Sequence, residues 1–138
     1  MIIDATNLIL GRMAAFAAKK ALLGEKIDIV NCEKTVVTGT LEFNFGKYKR
    51  KFNMGAPLMG PYHPRYPDRI VRRTIRGMLP YRRERGEKAF KNVMCYRGVP
   101  VGLKDKKFET IKEANVSKVP SLKYTTLEEV SKLLGAKV

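Results

Sequence analysis

Residues 1–32, "MIIDATNLILGRMAAFAAKKALLGEKIDIVNC", carry the pattern on which the fold turns. The opening "MIIDA" reads as a short strand. In "GRMAAFAAKKALLG" (11–24), five alanines join Met13, Phe16, Leu22 and Leu23 between two glycines. That composition is strongly helical, and Gly24 sits where a C-terminal cap is expected. "KIDIVNC" (26–32) is rich in β-branched residues and reads as a second strand. Strand, helix and strand within 32 residues outline a parallel crossover unit, so the expected class is α/β.

Further elements follow downstream. From Leu41 the apolar residues Leu41, Phe45, Tyr48 and Phe52 fall within about 60° of one another on a helical wheel, which predicts an amphipathic helix. Lys47, Lys49, Arg50 and Lys51 occupy the rest of its circumference. "MGAPLMGPYHPRYP" (54–67) holds Gly55, Pro57, Gly60, Pro61, Pro64 and Pro67. These exclude a helix or a central strand and predict a stiff loop carrying Tyr62, His63, Arg65 and Tyr66. Asp68 is the expected N-cap of the next helix. Its wheel sets Val71, Ile75, Met78 and Leu79 against Arg69, Arg72, Arg73 and Arg76 on the opposite side, and Gly77 and Pro80 end it. Residues 83–94 read as a short helix burying Ala89, Phe90, Val93 and Met94, and "MCYRGVP" as a strand leading to a turn. Residues 102–124 are polar and irregular. Thr126 with Glu129 makes a capping box for a last helix using Leu127, Val130, Leu133 and Leu134, stopped by Gly135.

A length of 138 residues fits one domain, 1–138, long enough to bury a core. No run approaches the roughly 20 apolar residues of a membrane-spanning helix, and no basic region precedes the first apolar stretch as in a signal peptide. Cys32 and Cys95 show no spacing for a metal site or a disulfide framework, so the chain is expected to be intracellular and reduced.

The charge is uneven. The chain holds 28 Lys+Arg against 13 Asp+Glu, for a net +15. Residues 1–46 carry five of each sign, whereas 47–97 carry fifteen basic and three acidic side chains, net +12. Ten of the eleven arginines lie in that central block, and 69–83 contains no acidic residue. A solvated helix face ordinarily interleaves both signs. Arginine without counter-charge suits phosphate and base stacking instead, which points to nucleic acid. Nothing resembles a recognition helix for paired DNA half-sites. Arginines on several elements, with a Tyr/His/Pro loop, fit the irregular surface of structured RNA, where rings stack on unpaired bases.

Other chemistries find little support. His63, the sole histidine, has no plausible nucleophile nearby, and no paired-carboxylate or metal spacing occurs. The turn "TNLILG" has one glycine and bulky aliphatics where a dinucleotide site needs close backbone approach, so it reads as a plain crossover. Two alternatives remain open: a nucleotide-binding or RNA-modifying enzyme on the same frame, and a regulator binding messenger RNA or protein through the same basic surface.

"DATNLILGRMAAFAAKKALLGEKIDIVNCEKTVVTG" resembles the N-terminal half of the large-subunit ribosomal protein L-thirteen family. "IRGMLPYRRERGEKAFKNVMCYRGVP" is similar to that family's second signature, and "PYHPRYPDRIVRRTIRGMLP" looks more like its archaeal and eukaryotic members. The resemblance implies a three-layer α/β/α core with a small, mostly parallel four-stranded sheet and extended basic loops. It implies a structural, non-enzymatic role in the cytoplasmic ribosome, binding large-subunit ribosomal RNA beside neighbouring large-subunit proteins and supporting assembly. No cofactor, metal, membrane or small-molecule substrate is implied. The family's RNA contacts carry over to Arg76, Gly77 and the arginines Arg82, Arg83 and Arg85 of "LPYRRERG", and to Tyr62, His63 and Arg65. With the basic block added, the expected RNA surface comprises Lys47, Lys49, Arg50, Lys51, Tyr62, His63, Arg65, Arg69, Arg72, Arg73, Arg76, Arg82, Arg83, Arg85, Lys88 and Arg97. The segments 54–67 and 104–124 are expected to be mobile without RNA.

Overall fold

The computed structural model describes residues 1–56, 58–121 and 123–137. Pro57, one of the breakers in the 54–67 loop, and Leu122, in the polar stretch 102–124, lie outside the described residues. In chain order the elements are β1 (Ile2–Asp4), α1 (Leu10–Leu22), β2 (Ile27–Val30), β3 (Val36–Thr38), α2 (Leu41–Phe52), α3 (Pro67–Met78), α4 (Glu84–Lys91), β4 (Val93–Cys95), β5 (Tyr124–Thr126) and α5 (Leu127–Leu133). Short 3-10 turns occur at 32–34, 101–103, 112–114 and 116–118.

β1, α1 and β2 form the crossover that the first 32 residues predict. β1 and β2 run parallel, with Ile3 opposite Ile29. α1 buries Leu10, Met13, Ala14, Ala17, Ala18 and Ala21, spaced as one face of a helix. The four buried alanines let α3 and α4 lie close. Gly24, at φ 94, donates to Ala21 O at 3.0 Å, and Glu25 N reaches Lys20 O at 3.3 Å. That is the glycine-capped end expected there. At its start, Leu8 and Leu10 are buried and Ile9 N donates to Ala114 O at 2.8 Å. Apolar packing fills the place a phosphate would need.

The four-stranded sheet is not formed. β4 pairs parallel with β2, giving three strands in the order β1-β2-β4, and β3 with β5 makes a separate antiparallel pair. At the outer edge of β1, among the described residues, only Glu109 joins, its N–H donating to Ile2 O at 2.8 Å and its carbonyl accepting from Asp4 N at 3.1 Å. The polar 104–118 stretch offers too few apolar side chains to extend that bridge into a strand. Ala114 is buried and Ile111 packs against the core, and Val116 N bonds Asn7 O at 2.9 Å.

Several boundaries and faces differ from expectation. α3 starts one residue before Asp68: Tyr66 is the N-cap and Pro67 the first helical residue, where its missing N–H costs nothing. Ile70, Val71 and Ile75 are buried with Leu79 just beyond, while Met78 is exposed. α4 ends at Lys91, so Val93 and Met94 belong to β4 rather than to a helix. On α2, Leu41 is exposed and the aromatic stripe is half-buried. The buried residue is Asn44, whose Nδ2 donates at 3.3 Å to Thr38 O, Gly39 O and Thr125 Oγ1. α5 has the predicted capping box between Thr126 and Glu129, but it buries Ser131 with Leu127 and Val130 and leaves Leu133 exposed.

Candidate nucleic-acid interface

α3 is a two-sided helix because its apolar residues recur on one face and its arginines on the other. Ile70, Val71 and Ile75 fix the first face in the core, which sets the second outward. The arginines are not splayed freely. Arg72 lies over the Phe90 ring at 4.7 Å and Arg76 over the Tyr81 ring at 5.1 Å. Arg73 Nη1 donates to Tyr62 O at 2.8 Å. Arg72 Nε is buried with no acceptor among the described residues. Ring stacking and the carbonyl contact hold three guanidinium groups in preset positions.

Residues 62–64, α3 and Phe90 of α4 line an open cleft of about 350 Å³. Its walls are Tyr62, His63, Pro64, Arg69, Arg72, Arg73, Arg76 and Phe90. Among the described residues no carboxylate lines it. Partial burial and the charges of Arg73 and Lys51 hold the His63 imidazole below its ordinary pKa, so it is neutral at neutral pH. A neutral imidazole both donates and accepts a hydrogen bond.

The other expected contacts fall around this cleft. Tyr48 and Lys51 of α2 meet Pro64, Arg73 and Thr74 in an adjoining depression, so the basic surface runs from α3 onto α2. On the outer side of α2, Lys47, Arg50 and Lys51 border a groove with Phe43, Gly46 and Met54. Lys49 sits over the Phe45 ring at 5.4 Å, and Arg65 over the Phe52 ring at 4.3 Å. Arg82, Arg83 and Arg85 are exposed between α3 and α4 and at the start of α4. Lys88 is paired with Glu84 one turn earlier, so part of its charge is offset locally. Arg97 lies apart. It stacks over Tyr66 at 4.9 Å and faces a cleft shared with Glu33, Asp68 and Glu128.

Sequence reasoning missed Phe90, Tyr81 and Phe43. Phe90, expected to be buried, packs against the core and also forms a wall of the cleft. Phe43 was legible as the one aromatic of α2 lying off the stripe, and it is 67% exposed. Of the two cysteines expected in strands, Cys95 lies in β4 and Cys32 does not. Cys32 is in the turn at 32–34 rather than in a strand, beside Cys95 of β4. Its hydrogen bond with Cys95, together with burial, pushes the Cys32 thiol far up, which suppresses the thiolate a nucleophile would need. Among the described residues no group of His, Cys, Asp or Glu could hold a metal ion, and no helix is long and apolar enough to cross a membrane.

Residues 1–102 match the family described as Ribosomal protein L13. The chain is 46% identical over 135 residues to the large ribosomal subunit protein uL13 of Archaeoglobus fulgidus, covering 97% of this chain and 86% of that protein. It is 47% identical over 137 residues to the protein of the same name from Methanosarcina barkeri, covering 99% and 98%. The counterpart in Methanococcoides burtonii is 44% identical over 136 residues, covering 99% and 98%. With the profile covering most of the chain and these relatives nearly all of it, the chain belongs to the ribosomal protein L13 family.

Proposed function

We propose that this chain is a structural constituent of the large ribosomal subunit that binds ribosomal RNA through the basic surface of α2, α3 and α4. Its partners are then large-subunit RNA and neighbouring large-subunit proteins in the cytoplasmic ribosome, and its work is to hold RNA segments in place during assembly and translation. It catalyses no reaction and takes no cofactor. The carrying observation is the α3 face: four arginines around one cleft, with no carboxylate among its lining residues. In a chain of net +15, such a face is self-repelling unless a polyanion meets it. The relatives' shared name, large ribosomal subunit protein, supports ribosomal RNA as that polyanion. The three-layer α/β/α arrangement of the family belongs to the same reading.

The test has two parts. The protein should co-sediment with large subunits through high salt. Its affinity for large-subunit RNA should fall with salt, the logarithmic slope being about −0.7 to −0.9 for each phosphate contact. Several contacts therefore give a slope steeper than about −3. Weak binding that is nearly independent of salt would sink the proposal.

A further inference from the structure

We infer that the cleft between residues 62–64, α3 and α4 receives a single unpaired nucleotide of the bound RNA, its base against the rings of the cleft and its flanking phosphates on the α3 arginines. This rests on the RNA reading above and adds to it the kind of RNA feature the cleft takes.

Shape is the first argument. A base-paired helix presents phosphates on a broad convex surface and keeps its bases inside the stack. A flat or gently curved array of lysines and arginines would suffice for that. Here the arginines form one wall of an open concavity of about 350 Å³, at the lower end of the volumes of small-ligand clefts, roughly 300–1,000 Å³. Its occupant must project from the RNA, which a single extruded nucleotide does.

Composition is the second. The lining combines three ring side chains, Tyr62, His63 and Phe90, with four guanidinium groups. Unpaired bases are held on aromatic rings and on guanidinium planes, and phosphates by guanidinium forks. Phe90 holds Arg72 in place, and Tyr62 and His63 add ring faces that a site for phosphate alone does not need. A site for an apolar peptide would not gather four like charges.

Preorganisation is the third. The hydrogen bond from Arg73 to Tyr62 O ties the loop rim to the helix. Arg72 and Arg76 are held over rings. The cleft therefore exists before the ligand arrives, and less ordering has to accompany binding. His63, neutral and half-buried at the rim, can donate to or accept from a base edge.

The full chain can be titrated with two RNA hairpins of identical stem and loop. One is fully paired; the other carries a single bulged 2-aminopurine. Binding is read by anisotropy, the bulged base by its fluorescence and His63 by its imidazole NMR signals. The bulged hairpin should bind more tightly, with quenched fluorescence and shifted His63 signals. Tyr62→Ala, at an exposed rim position, should weaken the bulged complex roughly tenfold and abolish the preference. Arg69→Gln, also exposed, should weaken both complexes alike. A melting curve for each variant confirms that it is folded. Equal affinity for the two hairpins, or a preference that persists in Tyr62→Ala, overturns the nucleotide site while leaving RNA binding intact. If neither hairpin binds with a steep salt dependence, the RNA reading falls, and the nucleotide site with it.

Discussion

Gly86 and Asp4 show how single residues constrain this chain. Gly86 interrupts the helical pattern of 83–94 and looks like a weak point in α4. The structure reverses that reading, because the backbone of Pro80 and Tyr81 passes directly over it and a Cβ there would overlap the Pro80 carbonyl. Gly86→Ala should cost about 1–3 kcal/mol by overpacking. Gly46, in the middle of α2, has open space around it, so Gly46→Ala should stabilise by about 0.5–1 kcal/mol. Urea denaturation of both variants checks the contrast; equal effects would show the close approach to be absent. At Asp4, burial acts to raise the carboxyl, but hydrogen bonds from Asn31 Nδ2 at 2.9 Å and from Thr6 Oγ1 at 2.7 Å and Thr6 N at 3.1 Å outweigh it, aided by Lys34. Its folded pKa lies below the unfolded one. The stabilisation is therefore complete above about pH 4 and lost as the pH falls through the lower folded value. Asp4→Asn should flatten the acid limb of a stability-versus-pH curve.

Among the elements, α1 and α2 mark the range of what the sequence reveals. The β1–α1–β2 unit is legible because its helical period, its glycine cap and its β-branched flanks all agree. α2 is legible as a helix, yet its buried anchor is not, because Asn44 is polar and its partners at Thr38, Gly39 and Thr125 come from β3, β5 and the turn between β3 and α2. Asn44→Ala removes one donor from each of those groups, Gly39 O keeping only Thr125 Oγ1 at 3.1 Å, and should cost about 1–3 kcal/mol, measured by thermal or urea unfolding. A cost near zero would mean that the apolar stripe alone seats α2. β3 and β5 escape notice because each has three residues and their pairing is long-range. The arginine face of α3 follows from its own periodicity. The rings that hold those arginines do not, because Phe90 and Tyr81 reach them only through the way α4 and its preceding loop fold back on α3.

For the molecule as a whole, electrostatics governs stability as well as binding. Fifteen surplus positive charges on one small chain repel one another, and residues 47–97 carry twelve of them. Raising monovalent salt from about 0.01 to 0.15 M shortens the screening length from about 30 to 8 Å. The melting temperature of the free chain should rise by a few degrees over that range, and a fall or no change would show that internal ion pairs offset the repulsion. The single bridge at Glu109 has a consequence of a different kind. A three-stranded sheet offers two outer edges, and an unpaired edge can recruit a like strand from another molecule. Glu109 takes up Ile2 O and Asp4 N on one side, and on the other β4 is only three residues long. The chain is thereby guarded against sheet-to-sheet aggregation during the interval between synthesis and incorporation into a larger particle, when no partner yet covers it.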